Sequence, residues 1–270
     1  MIAKAFLSLT EYPAFRRIIW KPVYENLARH FKISDWHFMN YGYAPGLSEQ
    51  ISLQPKDEIN RYPIQLYHFL AQKTTIKDKH VLEVGSGRGG GASYISRYLQ
   101  PASMTGMDIA RNAIRLANQH HQEHNLAFMQ GDAEKLPFKN ESYDVVINVE
   151  SSHAYGSVPR FLSEVLRVLK PGGIFLCTDL RGPEGMVKLK EHFELCGLKL
   201  LSEENITRNV VTAIEEEDVV KQQRIKDHIA GWIRPFFSQF AGTKGSRIHK
   251  DLSSNALIYY RFVLQKAQAN

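Results

Sequence analysis

The sequence predicts a doubly wound α/β fold, built around a seven-stranded, mostly parallel sheet with helical cap segments on either side of it in the chain. Short apolar runs alternate with amphipathic stretches from residue 77 to 204, a spacing typical of parallel strands joined by helices. Glycine-rich or acidic segments follow several of these runs. Ligands bind beyond the carboxyl ends of such strands, so a functional site is expected there.

The predicted strands share an apolar character and end at turn-forming or acidic residues. They are HVLEVG at 80–85, SMTGMD at 103–108, LAFMQGD at 126–132, YDVVINVE at 143–150, GIFLCTD at 173–179, LKLLSEE at 198–204 and ALIYYRFVLQ at 256–265. Helical periodicity predicts helices over 89–99, 111–121 and 159–169. The last of these is expected to stop at the breaker cluster KPGG.

Four regions are expected along the chain of 270 residues. Residues 1–75 are expected to form a helical N-terminal cap with an aromatic turn, WHFMNYGY, and residues 76–204 are expected to form the sheet core. Residues 205–255 are expected to form a helical lid, and residues 256–270 the last strand and a tail. Both the cap and the lid are expected to cover the ligand cleft.

Composition narrows the function classes. The net charge is +6, but no block of five basic residues occurs, so nucleic-acid binding is not expected. No signal peptide is recognised and no apolar run approaches a membrane span of ~18 residues, which predicts a cytoplasmic protein without stable membrane insertion. Cys177 and Cys196 are expected to be buried free thiols. The sequence leaves a homo-oligomer open.

The glycine-rich turn LEVGSGRGGGAS fits two patterns. Gly85, Gly87 and Gly90 match the G-x-G-x-x-G fingerprint of dinucleotide enzymes, whereas Glu83 with Gly85, Gly87 and Gly89 matches a pattern of S-adenosylmethionine (SAM) enzymes. A carboxylate in the turn would repel a pyrophosphate at the following helix N-terminus. SAM carries a sulfonium and an ammonium group, so Glu83 favours SAM.

Acidic residues at two further strand ends fit a nucleoside. Asp108 ends the second strand, where its carboxylate can accept from both ribose hydroxyls, and Asp132 ends the third, where it can accept from the adenine amino group. The contacts expected at these turns, beyond the glycines, are Glu83, Ser86, Asp108, Ile109, Asp132 and Ala133.

In chain order, the strings EVGSGRGGGAS, GMD, GDAEKLPF, ESYDVVINVESSH and LRVLKPGG resemble the class I SAM-dependent methyltransferase family over about residues 78–204. Outside this core, MNYGYAPGLSEQ, ESSHAYG and CTDLR resemble phthiotriol-type and related natural-product O-methyltransferases. The resemblance implies a Rossmann-like fold, SAM as cofactor and methyl transfer to oxygen. It also implies that Tyr41 reaches the methionine carboxylate; the alternative is a packed surface turn.

His153, in the loop after the fourth strand, is the candidate general base, because histidine titrates near neutral pH. Asp179, at the end of the fifth strand, is expected to orient the imidazole. In the O-methyltransferases that the sequence resembles, a His and an Asp at the matching positions assist deprotonation. The alternatives are that His153 only shapes the pocket and that Asp179 only caps the following segment.

Two residues at the end of the fourth strand complete the expected site. Asn148 is expected to line the cofactor site through its backbone, and Glu150 to contact SAM or substrate, or only to accept hydrogen bonds within its turn. No metal is expected: HHQEH at 120–124 matches a zinc pattern but lies at a polar helix end without further ligands.

The apolar stretch IAGWIRPFFSQF at 229–240 is read either as a core-facing helix or as a lid over an apolar acceptor, with membrane-surface contact as a third reading. We therefore expect a SAM-dependent O-methyltransferase acting on a hydrophobic, lipid- or polyketide-like small molecule. The alternatives are C- or N-methylation of a sterol-, quinone-like or amine acceptor, and a non-catalytic SAM-binding regulator. Glu83 and the later motifs disfavour a dinucleotide oxidoreductase.

Overall fold

The computed structural model describes residues 36–46, 50–232 and 234–268, so the helices expected in residues 1–35 lie outside the described residues. Seven strands of the described chain form one sheet, in the order β3-β2-β1-β4-β5-β7-β6. They are β1 (His80–Val84), β2 (Ser103–Asp108), β3 (Leu126–Gln130), β4 (Tyr143–Val149), β5 (Leu169–Arg181), β6 (Leu198–Asn205) and β7 (Ile258–Lys266). The β7 strand runs antiparallel to both of its neighbours, and the other pairings are parallel. The predicted seven-stranded, mostly parallel sheet is confirmed.

Helices cover both faces of the sheet. The α-helices of the described chain are α1 (Arg61–Ala71), α2 (Gly90–Leu99), α3 (Arg111–His120), α4 (Val158–Val168), α5 (Pro183–Leu195), α6 (Thr207–His228), α7 (Arg234–Ala241) and α8 (Arg247–Ser253). Side chains alternate across β1, so Val81 packs with α1, α2 and α6 while Leu82 and Val84 pack with α4 and α5. Burial of both faces explains the continuous apolar runs of the central strands.

The sequence misplaced one strand boundary. The KPGG segment ends the preceding helix as expected, but it lies inside β5, which begins at Leu169 rather than at residue 173. Leu169 pairs with Tyr143, whereas the next pair is Val145 with Ile174, so the extra residues form an irregularity in the ladder. The left-handed backbone of Gly172 (φ 76°) makes this detour feasible. Helix α5 was not foreseen.

The aromatic segment, residues 36–46, lies across the carboxyl edge of the sheet. Its backbone pairs with α1 through Tyr43 N–H and Tyr62 O at 3.0 Å, and with α6 through Ala44 N–H and Asn209 O at 3.1 Å. Trp36 packs edge-on against Phe237 of α7, with ring centroids 5.1 Å apart. The segment is thus held between α1, which precedes β1 in the chain, and α6 and α7, which lie between β6 and β7.

The described apolar side chains of the stretch 229–240 are partly buried in the core and partly exposed to solvent. Ile229 and Phe237 are buried, whereas Trp232 is 85% exposed. Ile233 and the side chains of Phe236 and Phe240 lie outside the described residues. Both cysteines are free thiols as predicted; Cys177 is buried, but Cys196 is only half-buried because it follows α5 near the surface.

Candidate active site

The glycine-rich turn joins β1 to α2 and lies against the end of β2. The N–H groups of Gly85 and Ser86 both donate to Met107 O, at 2.8 and 3.0 Å. Gly85 has a φ of 81°, and a Cβ added there would lie 2.3 Å from Ser151 Oγ. Only glycine satisfies both conditions, so the turn packs directly on the loop after β4.

The turn is also fastened to the acidic end of β2. Asp108 Oδ2 accepts from Gly87 N–H at 2.9 Å, and Oδ1 accepts from Ala110 N–H at 2.8 Å. Ser86 Oγ is buried and has no hydrogen-bond partner among the described residues, although buried hydroxyls are ordinarily paired. A polar ligand that binds the glycine turn would satisfy it, so the cradle fits a nucleoside cofactor such as SAM.

The remaining predicted contacts of the nucleoside lie beside Asp108. Gly131, which precedes Asp132, donates its N–H to Asp108 O at 3.0 Å. Asp132 Oδ1 accepts from Glu134 N–H at 3.0 Å, which fixes the turn after β3. Ile109 and Ala133 are half-buried. The structure therefore brings the ends of β1, β2 and β3 together at one edge.

Glu83 lies within β1 and not in the turn, which corrects the sequence-based placement. Its side chain is fully buried, and Tyr67 O–H donates to Oε1 at 2.6 Å. Burial raises the pKa of Glu83 to about 7, although the hydrogen bond from Tyr67 acts in the opposite direction. The carboxyl group is therefore easily neutralised beneath the turn. Its contact with cofactor stays a prediction.

Asn148 links β1 and β4 through its side chain. Its Nδ2 group lies 2.8 Å from Val84 O, 2.7 Å from Ser151 Oγ and 2.9 Å from Tyr155 Oη. The residue is fully buried. The structure thus assigns the amide a bridging role that the sequence did not foresee, while the expected backbone contact with cofactor stays a prediction.

Glu150 follows β4 with a left-handed backbone (φ 46°) and fastens the aromatic segment. Its Oε1 accepts from Tyr41 N–H at 2.9 Å and from Tyr259 O–H at 2.8 Å. Burial raises the pKa of Glu150 to about 8 in spite of these two donors. The Tyr41 ring packs against Gly242, where an added Cβ would lie 2.6 Å from the ring. Tyr41 is therefore held between the end of β4 and the turn that joins α7 to α8.

His153 and Asp179 meet where β4 and β5 end. His153 lies in a short 3-10 turn, Ser152–Ala154, and its Nδ1 is 2.7 Å from Asp179 Oδ1. The Asp179 side chain is fully buried, whereas 28% of the His153 side chain is exposed. The imidazole thus has one nitrogen on a buried carboxylate and a surface open to a ligand.

Asp179 stays ionised because its partners outweigh its burial. Burial by itself would raise its pKa, but His153, Arg181 and the hydroxyl of Ser152 lower the pKa to about 2. Arg181 Nη2 lies 3.2 Å from Oδ2, and Leu180 N–H donates to Oδ1 at 2.9 Å. The carboxylate therefore carries a full negative charge behind the imidazole throughout the physiological pH range.

Comparison with known proteins agrees with this geometry. Residues 82–177 match the family model described as a methyltransferase domain. The chain is 35% identical over 262 residues to a phthiotriol/phenolphthiotriol dimycocerosates methyltransferase of Mycobacterium leprae, covering 97% of each chain. This chain belongs to the SAM-dependent methyltransferase family. It is also 38% identical over 247 residues to a fatty-acid O-methyltransferase of Mycolicibacterium smegmatis, covering 91% of this chain and 89% of that one.

Solved structures share the fold of this methyltransferase. A putative sarcosine dimethylglycine methyltransferase from Galdieria sulphuraria superposes with a TM-score of 0.71 at 16% identity, covering 89% of this chain and 98% of that one. The cyclase SpnF superposes with a TM-score of 0.71 at 19% identity, covering 92% and 96%. SAM is the cofactor, as the glycine turn predicted, and the dinucleotide interpretation is excluded.

Some residues of the methyltransferase site escaped the sequence analysis. Tyr67 and Tyr259 hold the two buried glutamates, yet they come from α1 and β7, distant in sequence, with no local pattern to mark them. Arg181 had a signal: it lies two residues after Asp179 in a strand, and alternation places both on one face.

Two negative observations concern only the described ranges. No group of three or more potential ligand side chains there has a geometry that could hold a metal ion. In the HHQEH segment, His120 and His121 contact the His37 ring, with ring centroids 5.3 and 4.8 Å away. No helix in those ranges is both long and apolar enough to cross a bilayer.

Proposed function

We propose that this methyltransferase transfers the methyl group of SAM to a hydroxyl group of a hydrophobic, lipid- or polyketide-like acceptor, and that His153 takes the hydroxyl proton. The hydrogen bond between His153 Nδ1 and the buried Asp179 carries the proposal. A hydroxyl is a poor nucleophile until its proton leaves, so the reaction benefits from a base beside the methyl group.

The pairing with Asp179 selects the state of the imidazole that acts as a base. An ionised carboxylate can only accept hydrogen bonds, so the Nδ1 atom that faces Asp179 must carry the proton. In this tautomer the lone pair is on Nε2. The same carboxylate stabilises the imidazolium that forms when Nε2 takes the acceptor proton. Asp179 is therefore assigned two tasks: it orients the ring and stabilises its charge.

The cofactor residues supply position. SAM would supply a methyl group activated by its bond to the sulfonium. The acceptor oxygen would attack that carbon in line with the sulfur, so that the O–CH3 bond forms as the S–CH3 bond breaks and the thioether of S-adenosylhomocysteine leaves. The glycine turn, Asp108 and Asp132 would hold its nucleoside, and Tyr41 its methionine carboxylate. Holding reactants in line is the larger part of catalysis for a group that is already activated.

The relatives support a hydrophobic acceptor. Their names specify dimycocerosate lipids and fatty acids as what those proteins act on. We assign the helical segment 205–255 as the lid over such an acceptor, since the aromatic segment and Gly242 meet there above the sheet edge. A fatty-acid acceptor is the second candidate, because one relative is named a fatty-acid O-methyltransferase. If the carboxylate of such an acceptor were methylated, it would already be ionised and would need no base.

Parallel assays with long-chain probes test the proposal. Radiolabelled methyl transfer from SAM is measured with hexadecanol, a long-chain alkylphenol and hexadecanoic acid. We expect methylation of an alcohol or phenol probe, and His153→Ala should lower kcat on it at least about a hundredfold. Binding of S-adenosylhomocysteine (SAH), measured by calorimetry, should persist in that variant.

An exposed histidine provides the matched control. His124→Ala removes an exposed imidazole that follows α3, and its activity should equal the parent's. Methylation of hexadecanoic acid alone, or of none of the probes, would overturn the hydroxyl assignment. Unchanged turnover of the alcohol by the His153 variant would remove the base from the mechanism.

A further inference from the structure

The Asp179 carboxylate accepts hydrogen bonds on both oxygens from four groups, of which His153 is one. Oδ1 accepts from His153 Nδ1 and Leu180 N–H, at 2.7 and 2.9 Å. Oδ2 accepts from Ser152 Oγ–H and from Arg181 Nη2, the latter at 3.2 Å. Two donors on each oxygen fix the plane of the carboxylate, and with it the direction of the imidazole.

Arg181 and Ser152 form a closed group with that carboxylate. Arg181 Nη2 donates to Ser152 Oγ at 2.8 Å as well as to Asp179, and the Ser152 hydroxyl in turn donates a hydrogen bond to Asp179 Oδ2. The Arg181 side chain is 10% exposed and Ser152 is 1% exposed. Burying a guanidinium costs free energy, even beside an ionised carboxylate such as Asp179. The position of Arg181 therefore calls for a functional reason beyond packing.

The effect on His153 follows from charge. A lone carboxylate beside an imidazole strongly favours the imidazolium, which has already taken a proton and cannot act as a base. A guanidinium on the same carboxylate makes the pair neutral in sum and weakens that preference. The two oxygens of Asp179 thus have different tasks. Oδ1 orients the imidazole of His153, and Oδ2 binds the guanidinium of Arg181, which offsets the negative charge of the carboxylate.

We propose that Arg181 is a positioning residue that acts through Asp179: it offsets the charge of the carboxylate behind the His153 imidazole, while Ser152 holds that carboxylate in the orientation that directs the ring. The inference rests on the proposed role of His153 as the base. Neither residue is assigned a contact with SAM or with the acceptor.

The expected shift can be bounded from the spacing. The guanidinium and the imidazole contact opposite oxygens of one carboxylate, so their charges are on the order of 6 Å apart. At an effective dielectric constant of ~20 to ~40, removing the guanidinium should move the imidazole titration by about one to two pH units. The proportion of unprotonated His153 below its midpoint would then fall about ten- to a hundredfold.

Imidazole NMR of the full chain with bound SAH tests this without an acceptor. The resonances of His153 are assigned by their loss in His153→Ala. We expect the titration midpoint to rise by about one to two pH units in Arg181→Gln. It should rise by less than half of that in Arg181→Lys, which keeps the charge, and in Ser152→Ala, which removes a neutral donor. Arg160→Gln, on the exposed face of α4, is the control and should leave the midpoint unchanged.

Activity adds a second readout. The acidic limb of the kcat–pH profile on the methylated probe should move with the NMR midpoint, and kcat of Arg181→Gln should recover at higher pH. A folding defect would depress kcat at every pH. If the midpoint moves but His153→Ala is fully active, the coupling stands and the base assignment fails.

Two results would overturn the inference itself. The first is an unchanged midpoint in an Arg181→Gln protein that still binds SAH. The second is a full-unit shift in Arg181→Lys or Ser152→Ala, since the charge on Asp179 would then not be what Arg181 controls. These two variants decide the matter even if Arg181→Gln does not fold.

Discussion

Glu150 should make the stability of the fold depend on pH in a direction opposite to that of most carboxyl groups. Its pKa is raised by burial to about 8 in the folded protein, against 4.5 for a free side chain. The folded state thus retains a proton that the unfolded state releases, so the free energy of unfolding falls as pH rises from about 4.5 to about 8. The full difference corresponds to at most about 5 kcal/mol, and we expect between about 2 and 5 kcal/mol.

Substitution of Glu150 by glutamine distinguishes the effect of its ionisation from the effect of its two hydrogen bonds. In Glu150→Gln the side-chain oxygen can still accept from Tyr41 N–H and Tyr259 O–H, but it can no longer ionise. Glu83 acts in the same direction, with its pKa raised to about 7 by burial. The parent should therefore lose stability up to about pH 8, whereas the variant should lose it only up to about pH 7.

Urea unfolding from pH 5 to 9 measures this difference, with Glu191→Gln as the control because Glu191 is an exposed carboxyl group on α5. The control should follow the parent at every pH. If Glu150→Gln has the parent's slope between pH 7 and 8, the Glu150 carboxyl is not neutral in the fold. If the parent gains stability across that interval, the sign of the reasoning is wrong.

Three further outcomes are expected at the cofactor cradle. Asp108→Ala should weaken SAM binding about ten- to a hundredfold by calorimetry, because the proposed contacts to two ribose hydroxyls and the hydrogen bond from Gly87 N–H would be lost. Parent-like affinity would contradict the assignment. Gly85→Ala should lower both SAH affinity and melting temperature, since its Cβ would lie 2.3 Å from Ser151 Oγ at a φ of 81°, while Gly231→Ala, with open space around it, should change neither. SAM carries one more positive charge than SAH, so binding of SAM near Glu83 and Glu150 should release more protons at pH 7 than binding of SAH. Calorimetry in buffers of different ionisation enthalpy measures the number of protons released. Equal release by the two ligands would place the sulfonium away from both carboxyl groups.

Sequence alone predicted what local pattern determines. The alternation of apolar runs and amphipathic stretches specifies strands and helices, and the edge where parallel strands end is shared by all of them. Asp108 and Asp179 could therefore be placed at one edge without coordinates. KPGG was misjudged because a glycine that ends a helix can equally form an irregularity inside a strand; the deciding factor, pairing with Tyr143, is a tertiary contact.

Partners distant in the chain could not be predicted. Glu150 is 109 residues from each of Tyr41 and Tyr259, and no spacing rule links these three positions. The sequence therefore allowed two interpretations of Glu150: contact with SAM or substrate, or hydrogen bonds to the backbone of its own turn. The structure gives it a backbone hydrogen bond, but to the aromatic segment rather than to its own turn. The role of a buried carboxyl group thus depends on which distant element packs over it.

The three buried carboxyl groups at this edge differ in charge because their partners differ. Burial raises the pKa of each, and for Glu83 and Glu150, which accept only from hydroxyl and amide donors, that effect prevails. Asp179 alone faces an imidazole and a guanidinium, and there burial is outweighed. Environments that push neighbouring carboxyl groups in opposite directions mark where acid–base chemistry takes place. The carboxylate that stays ionised therefore lies behind His153, the proposed base, where Arg181 offsets its charge. The carboxyl groups below the glycine turn and the aromatic segment can be neutral or charged as the ligand requires.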